Sequence, residues 1–274
     1  MRIDTMMSRS GKATRIASIG HAAFAVTMVT LGILGLCKGD FTPVWGPVPG
    51  ALPAREVLVY LCAIISLGCG LGLLWQRTAA MAARVLLIWL LLWLLFIKLP
   101  EVFPAPTVVG SWYGCAETLV MVAGAWVLYA WFANEWDQRH FRFATGDRGV
   151  HMARVLYGLP LIFFGVGHFT YIKETVVLVP AWLPAPVFWA YLTGAAFIGA
   201  GVAILMGLFA RLAAALSVLQ MGMFILLVWI PLVLAGNISA FRWGEFVVTC
   251  ALTAAGWVVT DSYRGIPWLA MNRR

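Results

Sequence analysis

Eight apolar runs of about 20 residues alternate with short polar stretches along the chain. A helix needs about 20 apolar residues to cross the hydrocarbon core of a bilayer, whereas a barrel strand needs only about 10. The runs therefore predict eight transmembrane helices. The predicted segments are Ile16–Cys37, Val57–Trp75, Ala79–Leu99, Trp112–Trp131, Met152–Tyr171, Pro186–Leu208, Leu212–Leu234 and Trp243–Val259.

The composition indicates that lipid is the main solvent of this chain. Of its 274 residues, 62% are hydrophobic and only 11% are charged, and the mean hydropathy is +0.91. A soluble domain carries about 25% charged residues. Because backbone polar groups in lipid must pair within the protein, only helices and closed barrels can span a membrane. The predicted fold class is an all-α integral membrane protein.

The basic residues cluster in alternate loops. With the N-terminus in the cytoplasm, 14 of the 19 lysines and arginines fall in cytoplasmic regions and 5 in external regions. This asymmetry follows the positive-inside rule, so both termini are predicted to be cytoplasmic. The same rule accounts for the net charge of +8. The lipid bilayer is therefore an expected partner, and nucleic acid is not.

The two halves of the chain align without a gap at a constant offset of 131 in residue number. The motif V-P-x-x-L-P-A at Val48–Ala54 falls on Val179–Ala185, and 16 of the 55 positions from Val48 to Val102 are identical. Shared prolines in register indicate two copies of a four-helix unit. Because four is even, the copies should insert in parallel. The predicted divisions are residues 1–133, a cytoplasmic linker at 134–150, and residues 151–274.

A broken apolar loop precedes the sixth predicted helix. Prolines at Pro180 and Pro184 exclude a regular helix interior over Val176–Pro186. Trp182 favours the headgroup boundary, because tryptophan is enriched at that depth. The loop is predicted to lie at the outer interface or to dip in as a short re-entrant turn. It is either a hairpin cap anchored by tryptophans or a lid over an outward-facing pocket.

His168 lies near the outer end of the fifth predicted helix, in the sequence G-V-G-H-F. Histidine within an apolar span is costly unless it is paired or functional, and it handles protons at physiological pH. The alternative is a histidine bonded to backbone or water near the surface. At the offset of 131, Cys37 takes its place in the first half.

Glu117 and Glu245 are the acids nearest to the hydrocarbon, both close to the external helix ends. Arg242 stands three residues before Glu245, a spacing suited to an ion pair on one helix face. Intramembrane acids are candidates for functional sites. The alternative is a structural ion pair at a helix interface.

The five cysteines include no C-x-x-C pair and no zinc-ligand spacing. Cys37, Cys62 and Cys115 fall in or near the predicted outer leaflet, which leaves a redox dithiol open. Bridging would require Cα atoms within about 7 Å of each other. No metal site is predicted, and the chain contains no phosphate-binding loop and no HExxH motif.

The second half resembles the DoxX family of bacterial membrane proteins. The resemblance rests on G-x-G-H-F, then V-P-A-W-L-P-A-P, then W-A-Y-L-T-G-A-A-F-I-G-A-G-V-A-I-L, within Gly165–Glu245. The first half keeps the V-P-x-x-L-P-A motif but lacks G-H-F. The resemblance implies a four-helix bundle in the bacterial inner membrane and an association with redox biology. It supplies no established catalytic residue.

The sequence favours a membrane redox-associated protein that binds a quinone near the outer leaflet, as a subunit of an oxidoreductase system. Whether the chain is itself an enzyme is left open. In this hypothesis His168 and Glu245 handle protons, and Glu117 lies nearby as a further acid. Arg242 orients Glu245, and the residues Trp182, Pro180 and Pro184 shape the pocket mouth. The alternative is a non-catalytic anchor or assembly subunit for a soluble redox or metal-handling partner. A transporter is less favoured, because no discontinuous polar helix is evident at the midplane.

Overall fold

The computed structural model describes residues 16–50, 52–236 and 238–271. Within these ranges, eight helices are long and apolar enough to cross a membrane. The chain is therefore an all-α, multi-pass membrane protein. The helices are α1 (Ile19–Lys38), α2 (Arg55–Leu74), α3 (Gln76–Val102), α4 (Val109–Phe132), α5 (Gly146–Thr170), α6 (Pro186–Met206), α7 (Ala210–Leu234) and α8 (Ala240–Ser262).

The observed helices agree with the predicted segments to within three residues at most ends, although α5 begins six residues earlier than predicted, and capping explains several of the differences. The Ser18 hydroxyl accepts the His21 backbone N–H and so begins α1, and Ser239 begins α8 in the same way. Gly39 ends α1 in the left-handed conformation, with φ of 63°. The predicted orientation depends partly on terminal residues outside the described ranges. These are Arg2, Arg9, Lys12, Arg15, Arg273 and Arg274.

Both α3 and α7 contain one wide turn of π-helix. The turns cover Leu94–Lys98 and Ile225–Trp229, and a proline follows each turn two residues later. Proline has no N–H, and its ring crowds the carbonyl four residues earlier, so the helix adjusts locally. In α3 the Leu99 N–H reaches back five residues to the Leu94 carbonyl at 2.8 Å. The two turns stand at the same offset of 131 as the shared loop motif.

The helices pair in the same order in both halves. In the first half α1 packs on α2, α2 on α3 and α3 on α4, and in the second half α5 packs on α6, α6 on α7 and α7 on α8. Between the halves, α4 packs on α5, α8 packs on α1, and α4 packs on α8. Helix α4 is the most buried and α7 the least. That the halves are two copies stays a prediction.

Glycines allow the closest helix contacts. A Cβ on Gly32 of α1 would lie 2.5 Å from the Leu67 backbone nitrogen of α2, and one on Gly165 of α5 would lie 2.5 Å from the Gly194 carbonyl oxygen of α6. Small residues at such positions let helix backbones approach in the absence of a strong hydrophobic driving force. These contacts fix how α1 meets α2 and how α5 meets α6.

The predicted linker is an ordered part of the bundle. A short helix, Glu135–His140, begins with a capping box at Asn134, and α5 already begins at Gly146. The Asp137 side chain is fully buried and accepts hydrogen bonds from Arg84 (2.6 Å) and from the Tyr129 hydroxyl (3.0 Å). This network joins α3, α4 and the short helix. We call this end of the bundle the linker end, and the opposite end, which carries Glu117 and Glu245, the glutamate end.

His21 is a structural histidine that the sequence interpretation missed. Its ring is buried in α1, where Nε2 donates to the Leu73 carbonyl of α2 at 2.9 Å. The Ala17 N–H donates to Nδ1 at 3.1 Å. Both ring nitrogens are therefore satisfied, and the neutral ring joins the beginning of α1 to the end of α2.

Candidate functional site

His168 points between α6 and α7. Its ring lies 5.6 Å from Phe197 and 6.1 Å from Phe224, measured between ring centroids, and is nearly parallel to Phe224. Gly194 makes room for it, because a Cβ there would lie 2.7 Å from the His168 Cβ. The imidazole is thus held between two aromatic rings at the glutamate end of the second half.

One nitrogen of His168 is bonded and the other is free. Nδ1 donates to the Phe164 carbonyl at 2.9 Å, which assigns the proton of the neutral ring to Nδ1. Nε2 has no hydrogen-bond partner in the described part of the chain. Nε2 can therefore accept a hydrogen bond from a ligand hydroxyl, or donate one after protonation.

A crevice of about 260 Å³ lies between α6 and α7, on the linker side of the His168 ring. It is mostly apolar. Its lining runs from Phe209 to Gln220 on α7 and includes Ala196, Gly199 and Ala200 on α6. His168, Phe197 and Phe224 do not line it.

A second group of polar side chains lies at the glutamate end of α3, α4 and α8. Lys98, on the π-turn of α3, is 1% exposed, and its Nζ donates to the carbonyls of Gly46 and Pro47. Gly114 of α4 leaves room for this side chain, since a Cβ there would lie 3.3 Å from the Lys98 Cδ, which is closer than an ordinary contact. The bonds to Lys98 therefore fix the first loop to the bundle.

Glu117 and Glu245 belong to this group. Both are half-buried, and the charges of Glu245 and Lys98 are close enough to act on the Glu117 carboxyl. Neither acid forms a salt bridge within 4.0 Å anywhere in the described ranges. The expected ion pair between Arg242 and Glu245 is therefore not formed. Spacing along a helix brought the two side chains to one face but did not direct them toward each other.

Tyr113 separates this group from His168. Its ring stacks on Phe164 of α5 at 6.5 Å and lies 6.2 Å from Tyr171. It fits against Gly167, where a Cβ would overlap the Tyr113 hydroxyl. Because Gly167 and His168 face different neighbours on α5, the structure does not bring His168 together with Glu245. The expected single site is thus split into two groups.

The loop before α6 stays at the surface. Every residue from 172 to 185 is exposed or half-buried, so the loop does not enter the core of the bundle. Trp182 is 68% exposed, Pro180 is half-buried and Pro184 is exposed. The Pro184 carbonyl accepts the Trp189 indole N–H at 2.9 Å, which ties the loop to α6. Pro180, Trp182 and Pro184 therefore lie at the surface of this end of the second half and do not close it.

The matching loop of the first half, between α1 and α2, inserts three side chains into the bundle instead. Thr42, Val44 and Trp45 are all buried, and the Trp45 ring meets Trp93 of α3 edge to face at 5.5 Å. The loop is also tied to α2 by a salt bridge from Arg55 to Asp40 at 2.9 Å. The Phe41 backbone N–H and the Arg55 guanidinium hold the pKa of the Asp40 carboxyl below its ordinary value. The shared V-P-x-x-L-P-A motif does not predict this difference between the two loops.

The five cysteines are all free: Cys37 is exposed, Cys62 and Cys115 are buried, and none is paired. Their role as a redox dithiol stays a hypothesis. Among the described residues, no three histidine, cysteine or carboxylate side chains come together in a group that could hold a metal ion.

Comparison with known proteins identifies part of the chain. The DoxX family model matches residues 149–229, which run from the beginning of α5 into the π-turn of α7 and include His168 and its aromatic neighbours. No curated protein and no solved structure matches the chain. Residues 149–229 of this multi-pass membrane protein are therefore similar to the DoxX family.

Proposed function

We propose that the chain is a redox-associated membrane protein that binds a quinone or quinol at His168. Proteins of the DoxX family are membrane proteins and are often associated with redox systems. The observation that carries the proposal is the unpartnered Nε2 of His168, held between Phe197 and Phe224 in the described part of the chain. A flat apolar head with an oxygen at its edge matches this combination of aromatic faces and one polar atom.

The crevice between α6 and α7 supports the same ligand. A quinone carries an apolar tail, and the mostly apolar crevice, whose lining ends at Gln220, would take that tail. Neutral Nε2 would accept the hydroxyl of a quinol, and protonated Nε2 would donate to the oxygen of a quinone. Glu245 and Glu117, beyond Tyr113, would take up protons on the far side of α5, in the field of Arg242. Trp182, Pro180 and Pro184 would border the mouth.

Replacing His168 by alanine should weaken quinone binding by roughly tenfold, which corresponds to the loss of one hydrogen bond. The measurement is a titration of the purified protein with decylubiquinone and with menadione, followed by tryptophan fluorescence. The control is His151→Ala, because His151 is exposed at the linker end of the same helix. Equal affinities in wild type and His168→Ala would contradict the proposed site.

We also propose that the chain consists of two parallel four-helix copies in a bacterial inner membrane, with both termini in the cytoplasm. Support comes from structural features that recur at the offset of 131. These are the left-handed Ala54 and Ala185, with φ of 51° and 54°, and the two π-turns. The identical order of helix pairs in the two halves agrees with this arrangement.

The orientation is testable with reporters. A C-terminal green fluorescent protein should fluoresce, since it folds in the cytoplasm. An alkaline phosphatase inserted at Gly236, in the turn between α7 and α8, should be active because that turn is expected outside. The same phosphatase fused at the C-terminus should be inactive. The reverse pattern would show that the glutamate end faces the cytoplasm.

The alternative function is that of an anchor or assembly subunit for a soluble redox or metal-handling protein. It is favoured by the surface of the linker end, where Trp136, Phe141 and Phe143 are exposed. Under this alternative, His168→Ala leaves partner recovery from the native membrane unchanged. Replacing the three aromatic residues by serine abolishes that recovery.

A further inference from the structure

The crevice between α6 and α7 opens toward the bilayer. The exposed residues of its lining form its rim: Ala196, Gly199, Phe209 and Leu216. The buried residues of its lining form its floor: Ala200, Ala213 and Ser217. From Phe209 to Gln220 the lining follows about 16 Å of α7, which is half the thickness of the hydrocarbon core. A long molecule can therefore enter sideways from the lipid and lie along the two helices.

The two polar side chains of the lining are already bonded to the protein. The Ser217 hydroxyl donates to the Ala214 carbonyl at 2.8 Å and accepts the Tyr157 hydroxyl at 2.9 Å. The Gln220 amide donates from Nε2 to the Thr193 carbonyl at 3.1 Å. The rest of the lining is alanine, glycine, leucine and phenylalanine. The crevice therefore matches a hydrocarbon chain better than a polar head.

The first half carries more side-chain volume at the floor positions. The offset of 131 applies to them, because they fall within the stretch from Val48 to Val102 that gives 16 identities. Larger residues of the first half stand at three lining positions: Ile65 for Ala196, Leu86 for Ser217 and Trp89 for Gln220. Smaller ones stand at two rim positions: Thr78 for Phe209 and Val85 for Leu216. Leu86 is fully buried, so it supplies hydrocarbon where the second half has only the Ser217 hydroxymethyl group.

Gly199 leaves open space at the rim. A Cβ at this position would meet nothing within 4 Å, and the same holds for Gly68, its counterpart at the offset of 131. Both glycines are exposed, so the fold has room for a larger side chain at either position. Only Gly199 lines the crevice between α6 and α7. The two positions therefore form a matched pair for substitution.

The end of the crevice at Gln220 lies close to the residues around His168. Gln220 stands four residues before Phe224, on which the His168 ring stacks, or about 6 Å along α7. The two also meet neighbouring residues of α6, because Gln220 bonds to Thr193 and His168 lies against Gly194. The tail of a ring bound at His168 would thus have to pass one turn of α7 to reach the crevice.

We propose that this crevice makes the protein selective for quinones with a long apolar tail, and that Ala196, Gly199 and Ser217 determine the selectivity. The inference rests on the proposed function and names its ligand class, a prenylated quinone of the membrane. Small residues at these three positions let a chain lie close to the helix backbones. Because the tail leaves lipid for an equally apolar site, its affinity comes from close contact and not from the hydrophobic effect.

Two quinones with the same ring separate the tail from the head. The probes are decylubiquinone and the tail-less quinone with the same dimethoxy ring. Gly199→Leu should raise the Kd of decylubiquinone by roughly tenfold and leave that of the tail-less quinone unchanged, because leucine occupies the tail's place. Ala196→Ile, which introduces the residue of the first half, should act in the same direction. Gly68→Leu is the matched control and should change neither Kd.

The outcomes separate the tail site from the head site. All proteins are measured in the same micelles, so partition of the tail into detergent is equal for each. Unchanged decylubiquinone affinity in Gly199→Leu would overturn the tail site and leave quinone binding standing. Equal losses for both quinones would also overturn it, since position 199 would then act on the head or the fold. If neither quinone binds to the wild type, the proposed function and this inference both fail.

Photolabelling of the wild-type protein tests the same site without any variant. The probe is decylubiquinone with a diazirine at the end of its tail, and mass spectrometry locates the label. Label is expected on the crevice residues of α6 and α7, and excess decylubiquinone should remove it. Label spread evenly over the lipid-facing helices would overturn the inference. So would labelling of the crevice by a phospholipid with a diazirine in its acyl chain, if excess decylubiquinone does not reduce it, because the occupant would then be lipid.

Discussion

Replacing Asp137 by alanine is expected to lower the free energy of unfolding by roughly 3–5 kcal/mol, which is the cost of breaking a buried ion pair from one side. Asp137 is fully buried and holds Arg84, the Tyr129 hydroxyl and the Asn134 N–H together. Its removal leaves the Arg84 guanidinium without its carboxylate. It also removes the side chain that joins the linker to α3 and α4.

The control for Asp137 is a second ion pair in the same short helix. Arg139 and Glu135 pair at 3.1 Å, but both side chains are largely exposed. An exposed pair one turn apart contributes only about 0.5 kcal/mol, so Glu135→Ala should change little. Thermal unfolding in detergent, measured by circular dichroism, compares the two variants. Equal melting temperatures for Asp137→Ala and Glu135→Ala would show that the buried network does not hold the linker.

Replacing Gly165 by alanine is expected to destabilise the protein by roughly 1–3 kcal/mol and to abolish the proposed quinone binding, because overpacking forces helices apart. A Cβ at this position would lie 2.5 Å from the Gly194 carbonyl oxygen and 2.5 Å from the Ile198 Cγ1. Since one of these atoms belongs to the backbone, α5 must move away from α6. His168 lies one turn further along α5 and moves with it.

Gly68 provides the matched control for Gly165. It lies on an exposed face of α2, and a Cβ there would meet nothing within 4 Å. Gly68→Ala should leave stability unchanged or raise it slightly, since alanine favours a helix over glycine. Melting temperature and menadione affinity are measured for both variants. A Gly165→Ala protein with unchanged affinity would show that the α5–α6 contact does not position His168.

The helices were predictable from the sequence because their signal is long and strong. In a bilayer, a run of about 20 apolar residues can only form a membrane-spanning helix. The short turns after α2 and α6 then place α3 beside α2 and α7 beside α6. The prolines Pro100 and Pro231, which stand in register at the offset of 131, were visible in the sequence. The π-turn before each of them was not, because hydropathy does not report how a helix accommodates proline.

The candidate site was only partly predictable. His168 was found because a histidine in an apolar span is rare, whereas the buried Lys98 looked like an ordinary charge at a helix end. Its burial depends on the fold of the first loop and on the space left by Gly114. Both belong to the tertiary packing. The position of Arg242 relative to Glu245 likewise depends on side-chain directions that spacing alone does not fix.

The gapless alignment of the two halves does not predict every helix contact. An offset of 131 gives 16 identities from Val48 to Val102. The glycines that approach the next helix most closely in α1 and α5, Gly32 and Gly165, are 133 residues apart. Apolar helices tolerate such a difference of register without a visible trace in composition, so it appears only in the contacts.

The pairing of α4 with α5 and of α8 with α1 has a consequence for assembly. Each half covers the first helix of the other, so a single four-helix unit would leave one face of its first helix and one face of its last without a partner. Two separate units could complete these contacts only at a rate and an extent set by their concentration in the membrane. Joining them in one chain makes the encounter intramolecular and fixes a high effective concentration. The bundle can then form in a membrane that holds very few copies of the protein.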